Sequence, residues 1–314
     1  MTLFLQTVLA PASREAKTIK ELFSAFNIAA LAMLLFVCAC VIYICFRYRR
    51  KAGDDDQPLA GHNNNFLEAA MIGLPLLILV FFFYRSVSAE AQIAPTTDSK
   101  KIPDVIITAH QWWWEVQYPK NHVIAANEIH LPVGRPILME MRSADVIHDW
   151  WVPSFGNKID LIPDIKNYLR LNIIKPGTFM GACSEFCGAE HAWMRIKVIA
   201  EMPEKFNMWL QNNGSLSAPV TDSISKTGAM LFQEKSCAGC HRIGGTDADM
   251  KIGPDLTHLA GRQDILTGLL VNNRTNLAKW IGHAQEVKPG AYMPDFSLSK
   301  DSLTALVHYL SLLE

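Results

Sequence analysis

The stretch Cys183-Ser184-Glu185-Phe186-Cys187-Gly188-Ala189-Glu190-His191-Ala192-Trp193-Met194 gathers two thiols, an imidazole and a thioether within one short segment. Upstream, Val146-Ile147-His148-Asp149-Trp150 offers a second imidazole. Soft sulfur combined with imidazole suits copper or zinc. A single-copper electron-transfer site uses one Cys, two His and a weak Met. Here a second Cys follows the first by four residues. Two thiolates can bridge two copper ions, with His148 terminating one and His191 the other. Met194 can then serve one copper weakly, and the backbone carbonyl of Glu185 the other. The rival readings are a disulfide, which leaves His191 and Met194 without a purpose, and a structural zinc, which does not ask for Met.

Outward from this loop the sequence is rich in short β-branched or alternating runs: Val105 to Thr108, Ile137 to Met141, Tyr168 to Ile174 and Arg195 to Ile199. Pro132-Val133-Gly134 and Lys175-Pro176-Gly177 punctuate them as turns. Many short strands with regular turns predict a β-sandwich or barrel.

On the N-terminal side, Phe26 to Phe46 carries no charge and covers about 30 Å as a helix, the thickness of a bilayer core. Arg47, Arg49, Arg50 and Lys51 follow at once. A second apolar run spans Phe66 to Tyr84, with Glu68 near its start and Pro75 inside, and ends at Arg85. The basic connecting loop is expected in the cytoplasm and everything after Arg85 outside it; Asp54, Asp55 and Asp56 count little in that rule. Cys38, Cys40 and Cys45 read as small apolar residues of the first span. The apolar stretch Leu3 to Ala10 is short, and signal cleavage near Ala10 to Ser13 stays open. Glu68 has two readings: a functional carboxylate at the edge of a span, or a first-turn acid favoured by the helix dipole.

On the C-terminal side, Asn212-Asn213-Gly214-Ser215-Leu216-Ser217-Ala218-Pro219 reads as a linker. Beyond it stands Cys237-Ala238-Gly239-Cys240-His241, the C-x-x-C-H attachment pattern for a c-type haem. The thiols add to the haem vinyls and His241 reaches the iron; a redox C-x-x-C does not call for that His. Met230, Met250 and Met293 are available as the second axial ligand. Met293 is favoured, because Tyr292-Met293-Pro294 lies in a loop before a final helix, Lys300 to Leu313. Thioether ligation raises a haem potential, as a donor to copper requires. Phe232 and Tyr309 are expected to pack where the first and last helices of this domain cross. The linker is expected to act as a tether, raising the local donor concentration into the mM range.

His148 and the Cys183 to Met194 loop resemble the binuclear copper motif of the subunit II family of haem–copper cytochrome c oxidases. His110-Gln111-Trp112-Trp113-Trp114 resembles that family's aromatic segment, with Trp113 where a tyrosine is common, and Phe66 to Pro75 resembles the start of its second span. The resemblance runs from about Phe23 to Trp209. It implies that Cys183 and Cys187 bridge two coppers, with His148 and His191 as terminal ligands and Met194 and the Glu185 carbonyl as weak axial ones. It further implies a magnesium or manganese ion, shared with subunit I, at the Glu185 side chain. Trp112 is implied as the point of electron uptake, Glu68 as the acid at a proton channel, and the stretch around Asp160 as facing subunit I. For Trp113 and Trp114, and as the rival for Trp112, aromatic packing or a membrane-surface belt is the plainer reading. From Gly228 onward the chain resembles class I cytochrome c, including Gly253-Pro254-Asp255-Leu256, whose proline carbonyl orients the haem-binding His.

The expected architecture is a multidomain membrane protein. It has an extracytoplasmic segment (1–22), a two-helix transmembrane hairpin (23–86), an all-β cupredoxin sandwich (100–211), a linker (212–226) and an all-α cytochrome c domain (227–314). The 314 residues are half hydrophobic with a formal net charge of -1, which gives nucleic-acid binding no support. The expected partners are subunit I, other oxidase subunits, membrane lipid and an electron donor: a soluble cytochrome, a small copper protein or a quinol-oxidising complex. The expected setting is a bacterial cytoplasmic membrane with both redox domains on the periplasmic side. Rival functions are the same module in a nitric-oxide reductase, a copper-free subunit of a quinol oxidase, and a membrane-anchored carrier.

Overall fold

The computed structural model describes residues 8–49, 64–94, 101–216 and 221–314. Arg50, Lys51, Asp54 to Asp56, the apolar start at Leu3 and Ser217 to Pro219 of the linker lie outside the described residues.

Residues Lys17–Ala94 form one unit, built on α1 (Arg14–Arg47) and α2 (Asn65–Ile93). Both helices are long and apolar enough to cross a membrane. Their apolar side chains, among them Leu34, Phe36, Leu77 and Phe83, are exposed, as lipid-facing residues are. Phe26 meets Phe82 edge to face, with centroids 5.5 Å apart. Asn64 caps α2 by accepting from the Leu67 N–H at 3.1 Å, so Glu68 stands exposed in the first turn.

Helix α1 starts at Arg14, well ahead of residue 23. The reason is local: Ser13 Oγ accepts from the Ala16 N–H at 3.0 Å, and Glu15 sits in the first turn. The residues before Lys17 belong to the second unit, where the Ala12 N–H donates to the Ser154 carbonyl at 2.8 Å. The Asn172 N–H likewise donates to Glu15 Oε2 at 3.0 Å.

That second unit carries a ten-stranded sandwich. Its strands are β1 (Val105–His110), β2 (Trp113–Tyr118), β3 (Val123–Ala126), β4 (Glu128–Pro132), β5 (Ile137–Ser143), β6 (His148–Trp151), β7 (Lys158–Leu161), β8 (Asn167–Leu171), β9 (Gly177–Cys183) and β10 (Arg195–Glu201). One sheet has the order β3-β2-β1-β5-β8 and the other β4-β10-β9-β6-β7. The β1/β5 and β4/β10 pairs are parallel and the rest antiparallel. Alternate side chains from both sheets, Ile107, Trp114, Met139, Trp150 and Ile196 among them, fill the core with no exposure. Helix α3 (Pro203–Asn213) closes one side with Phe206 and Leu210, and its Trp209 stacks on His130 at 4.1 Å.

The C-terminal domain is helical: α4 (Ser223–Glu234), the short ribbon β11 (Asp264–Ile265) and β12 (Leu270–Val271), α5 (Arg274–Gly282), α6 (Ala284–Val287) and α7 (Lys300–Leu310). Helix α4 begins inside the stretch expected to be linker, because Asp222 caps it by accepting from the Ser225 N–H at 2.9 Å. Phe232 and Tyr309 meet edge to face at 6.2 Å where α4 crosses α7. The crossing is close at Gly228, where an added Cβ would lie 2.2 Å from the Ala305 carbonyl oxygen. This domain is packed on the sandwich by buried polar contacts, so the picture of a free tether is replaced by a docked one. Gly228→Ala should lower stability by about 1–3 kcal/mol, the usual cost of overpacking, read as a fall in the melting temperature of the helical domain.

Candidate metal centres

Backbone pairing decides where the sulfur loop goes. Cys183 ends β9 beside β6, in register with Trp150. The Cys183 N–H donates to the Met194 carbonyl at 2.9 Å, and the Ser184 N–H to the Asp149 carbonyl at 3.2 Å. Residues 184–193 are thereby folded back over the start of β6, where His148 stands. One ligand atom each from His148, Cys183 and Cys187 lies within 4.8 Å of the others. The two sulfurs are 3.8 Å apart. His148 Nδ1 is 3.8 Å from Cys183 Sγ, and His191 Nδ1 is 3.6 Å from Cys187 Sγ. Met194 Sδ is 3.8 Å from Cys187 Sγ, and the Glu185 carbonyl is 3.3 Å from Cys183 Sγ. The Glu185 side chain is exposed and accepts from the Phe186 N–H.

Supporting groups that sequence reasoning missed hold this set in place. Asp145 Oδ1 lies 2.8 Å from His148 Nε2, which turns Nδ1 toward the sulfurs. The spacing of three residues between Asp145 and His148 was the signal available. The Gln111 amide and the Trp112 indole N–H both donate to the Cys187 carbonyl, at 2.7 and 2.9 Å. Gly188 makes that approach possible: its φ is +115°, and a Cβ there would lie 2.9 Å from the Trp112 ring.

The thiol pair is polarised. A hydrogen bond from Cys187, helped by His148 and neighbouring backbone groups, holds the Cys183 thiol well below the usual thiol range. Cys187, as the donor to that sulfur and itself buried, is pushed up. A cation that takes both sulfurs must displace the second proton, so binding should be pH-dependent. Burial and the facing Asp160 push Asp149 up to about 7.

In the C-terminal domain a tight turn, Cys237–Gly239, presents both cysteines and His241 to an apolar cavity. His241 Nδ1 is 2.8 Å from the Pro254 carbonyl. A carbonyl only accepts, so Nδ1 carries the proton and Nε2 keeps its lone pair. Burial lowers the His241 pKa and keeps the ring neutral. Gly253 lies so close that an added Cβ would be 2.6 Å from the imidazole. Met293 lines the same cavity, whereas Met230 and Met250 are exposed. Gln285 braces the Met293 loop by donating to the Ala291 and Met293 carbonyls at 2.6 and 2.7 Å.

The aromatic segment divides its work. Trp114 is buried in the sandwich core and its indole donates to the Arg195 carbonyl at 3.0 Å. Trp113 stacks on His110 at 4.2 Å. Trp112 touches the sulfur loop through its indole N–H and also lines the C-terminal cavity.

Residues 121–201 match the family described as the periplasmic domain of cytochrome c oxidase subunit II, and residues 225–314 match cytochrome c. Cytochrome c oxidase subunit 2 of Alkalihalophilus pseudofirmus is 33% identical over 290 residues, covering 90% of this chain and 84% of the relative. The chain belongs to the cytochrome c oxidase subunit 2 family. The subunit 2 of Bacillus subtilis is 28% identical over 286 residues, covering 85% of this chain and 80% of its own. The crystal structure of the periplasmic domain of subunit II of the Bradyrhizobium japonicum cytochrome oxidase covers 36% of this chain and 95% of its own, at 32% identity and a TM-score of 0.35.

In a subunit 2 of this kind the matched sandwich implies copper and the matched helical domain implies haem. The residues present fit both groups. The sulfur loop offers two thiolates flanked by two imidazoles, with a thioether and a carbonyl at the margins, and the cavity offers paired cysteines, a neutral His and a Met. Asp145→Ala should weaken copper binding about 10- to 100-fold, checked by chelator competition, with the sandwich still folded.

Proposed function

We propose that this chain is the electron-accepting subunit of an oxygen-reducing respiratory oxidase in a bacterial cytoplasmic membrane. Its helical domain takes electrons from a donor, and its sandwich passes them to subunit I, where oxygen is reduced and protons are translocated. The observation that carries this reading is Trp112, which bonds the carbonyl of Cys187 and forms part of the wall of the His241 cavity. One side chain thus links two separate donor sets.

Bound in those sites, a covalent haem c and a copper pair supply one-electron chemistry. The chain's own residues do the rest. Cys237, Cys240, His241 and Met293 would hold the haem. His148, Cys183, Cys187, His191, Met194 and the Glu185 carbonyl would hold the coppers. Asp145 fixes the His148 ring, and the Pro254 carbonyl fixes His241. Apolar side chains, among them Leu277, Ile281 and Leu306, wall the haem cavity. The Glu185 side chain, exposed on this chain, is free to reach a magnesium or manganese ion shared with subunit I. Glu68, at the start of α2, is the acid proposed for proton uptake. The relatives carry the name cytochrome c oxidase, which favours oxygen over nitric oxide as the final acceptor.

Purification of the tagged chain from native membranes tests the reading. It should bring down a large multi-span subunit and support oxygen uptake from a reduced soluble donor. Cys237→Ala with Cys240→Ala should abolish both the haem c absorption and that uptake, leaving copper bound. A chain that purifies alone and reduces no oxygen would make it an anchored carrier. Met194→Leu should alter copper absorption and potential with haem attachment intact; unchanged copper properties would refute its role as a ligand.

A further inference from the structure

Strand β10 has a core face, carrying Ile196 and Val198, and an outer face, carrying Lys197 and Ile199. The outer face of such a sheet ordinarily meets water. Here Lys197 is only 6% exposed, because the C-terminal domain covers it. An ammonium has three N–H donors, and the contacts of Lys197 account for all of them. One goes to Glu128 Oε1 on the neighbouring β4 at 3.0 Å, one to Gln263 Oε1 at 3.0 Å and one to Asp264 Oδ2. The Glu128 carboxylate reciprocates: its Oε1 accepts from the backbone N–H groups of Gln263 and Asp264 at 3.0 and 3.2 Å. A sandwich cation and a sandwich anion therefore both grip the same two residues of the helical domain.

The gripped segment is also a wall of the haem cavity. Arg262, Asp264 and Ile265 line that cavity, and so do Gln111, Trp112, Trp113 and Asn127 from the sandwich. On the same side Tyr292 stacks on Trp112 at 5.1 Å and donates to Gln111 Oε1 at 2.8 Å. We propose that Lys197 and Glu128 latch the helical domain onto the copper sandwich, so that the sandwich supplies one wall of the haem cavity. Lys197 is then a positioning residue: it fixes the distance between the two redox domains, and touches neither metal site. The proposal rests on the reading of the C-terminal cavity as the haem site. Breaking one partner of such a buried cluster leaves an uncompensated charge, so the latch should open when either side is neutralised.

Hydrogen exchange on the full-length haem-loaded chain in detergent tests this. The Gln263 and Asp264 amides should be protected in the wild type. They should exchange at least about tenfold faster in both Lys197→Met and Asp264→Asn, as expected for loss of charge-assisted hydrogen bonds. Asp264→Asn guards against misfolding of the sandwich, since its side chain is a quarter exposed and belongs to neither core. Exchange in α7 and covalent haem attachment should be unchanged in Lys197→Met, whose site lies outside the cavity, and its haem potential should shift. Free exchange of Gln263 and Asp264 in the wild type, or protection untouched in both variants, would overturn the latch. An unshifted potential with protection lost would overturn the shared wall. Protected amides in a chain that takes up no haem would refute the haem reading and leave the latch standing.

Discussion

The pairing of β9 with β6, and the backbone bond from Cys183 to Met194 that closes the loop, set everything at the sulfur site. Without that closure nothing in the backbone brings Met194 and His191 toward His148. With it, side chains up to 46 positions apart in sequence become neighbours, held by a sheet whose core is fully buried. The loop needs few contacts of its own, because rigid strands carry both its ends and the Cys187 carbonyl is held by two donors from the Gln111-Trp112 segment.

The same Gln111-Trp112 segment reaches the helical domain. Tyr292 and Lys288 approach it from that side, Lys288 being buried with Nζ 3.4 Å from the Trp112 carbonyl and 4.0 Å from a Glu190 carboxylate oxygen. The helical domain and the sandwich therefore meet through side-chain and backbone contacts at this segment as well as through the peptide linker. Two domains docked in this way need no search for one another.

Much of this was legible in the sequence because the chemistry is local. Cys237-Ala238-Gly239-Cys240-His241 and the Cys183 to Met194 loop are contiguous, so their donor sets are visible without a fold. The apolar runs at Phe26 and Phe66 announce two long helices by length alone. What escaped is tertiary. Asp145 is only three residues from His148, but its orienting role depends on where β6 begins. Lys197 sits within the alternating run Arg195 to Ile199, and its burial comes from residues 263 and 264, far away in sequence. The early starts of α1 and α4 came from side-chain caps at Ser13 and Asp222, which lie outside the apolar pattern.

We propose that the sulfur loop holds two coppers that share one electron. The deciding measurement is electron paramagnetic resonance on the copper-loaded full-length chain. Hyperfine coupling to two equivalent copper nuclei is the predicted result. A spectrum from a single copper, or no copper signal from a chain that binds zinc instead, would contradict it.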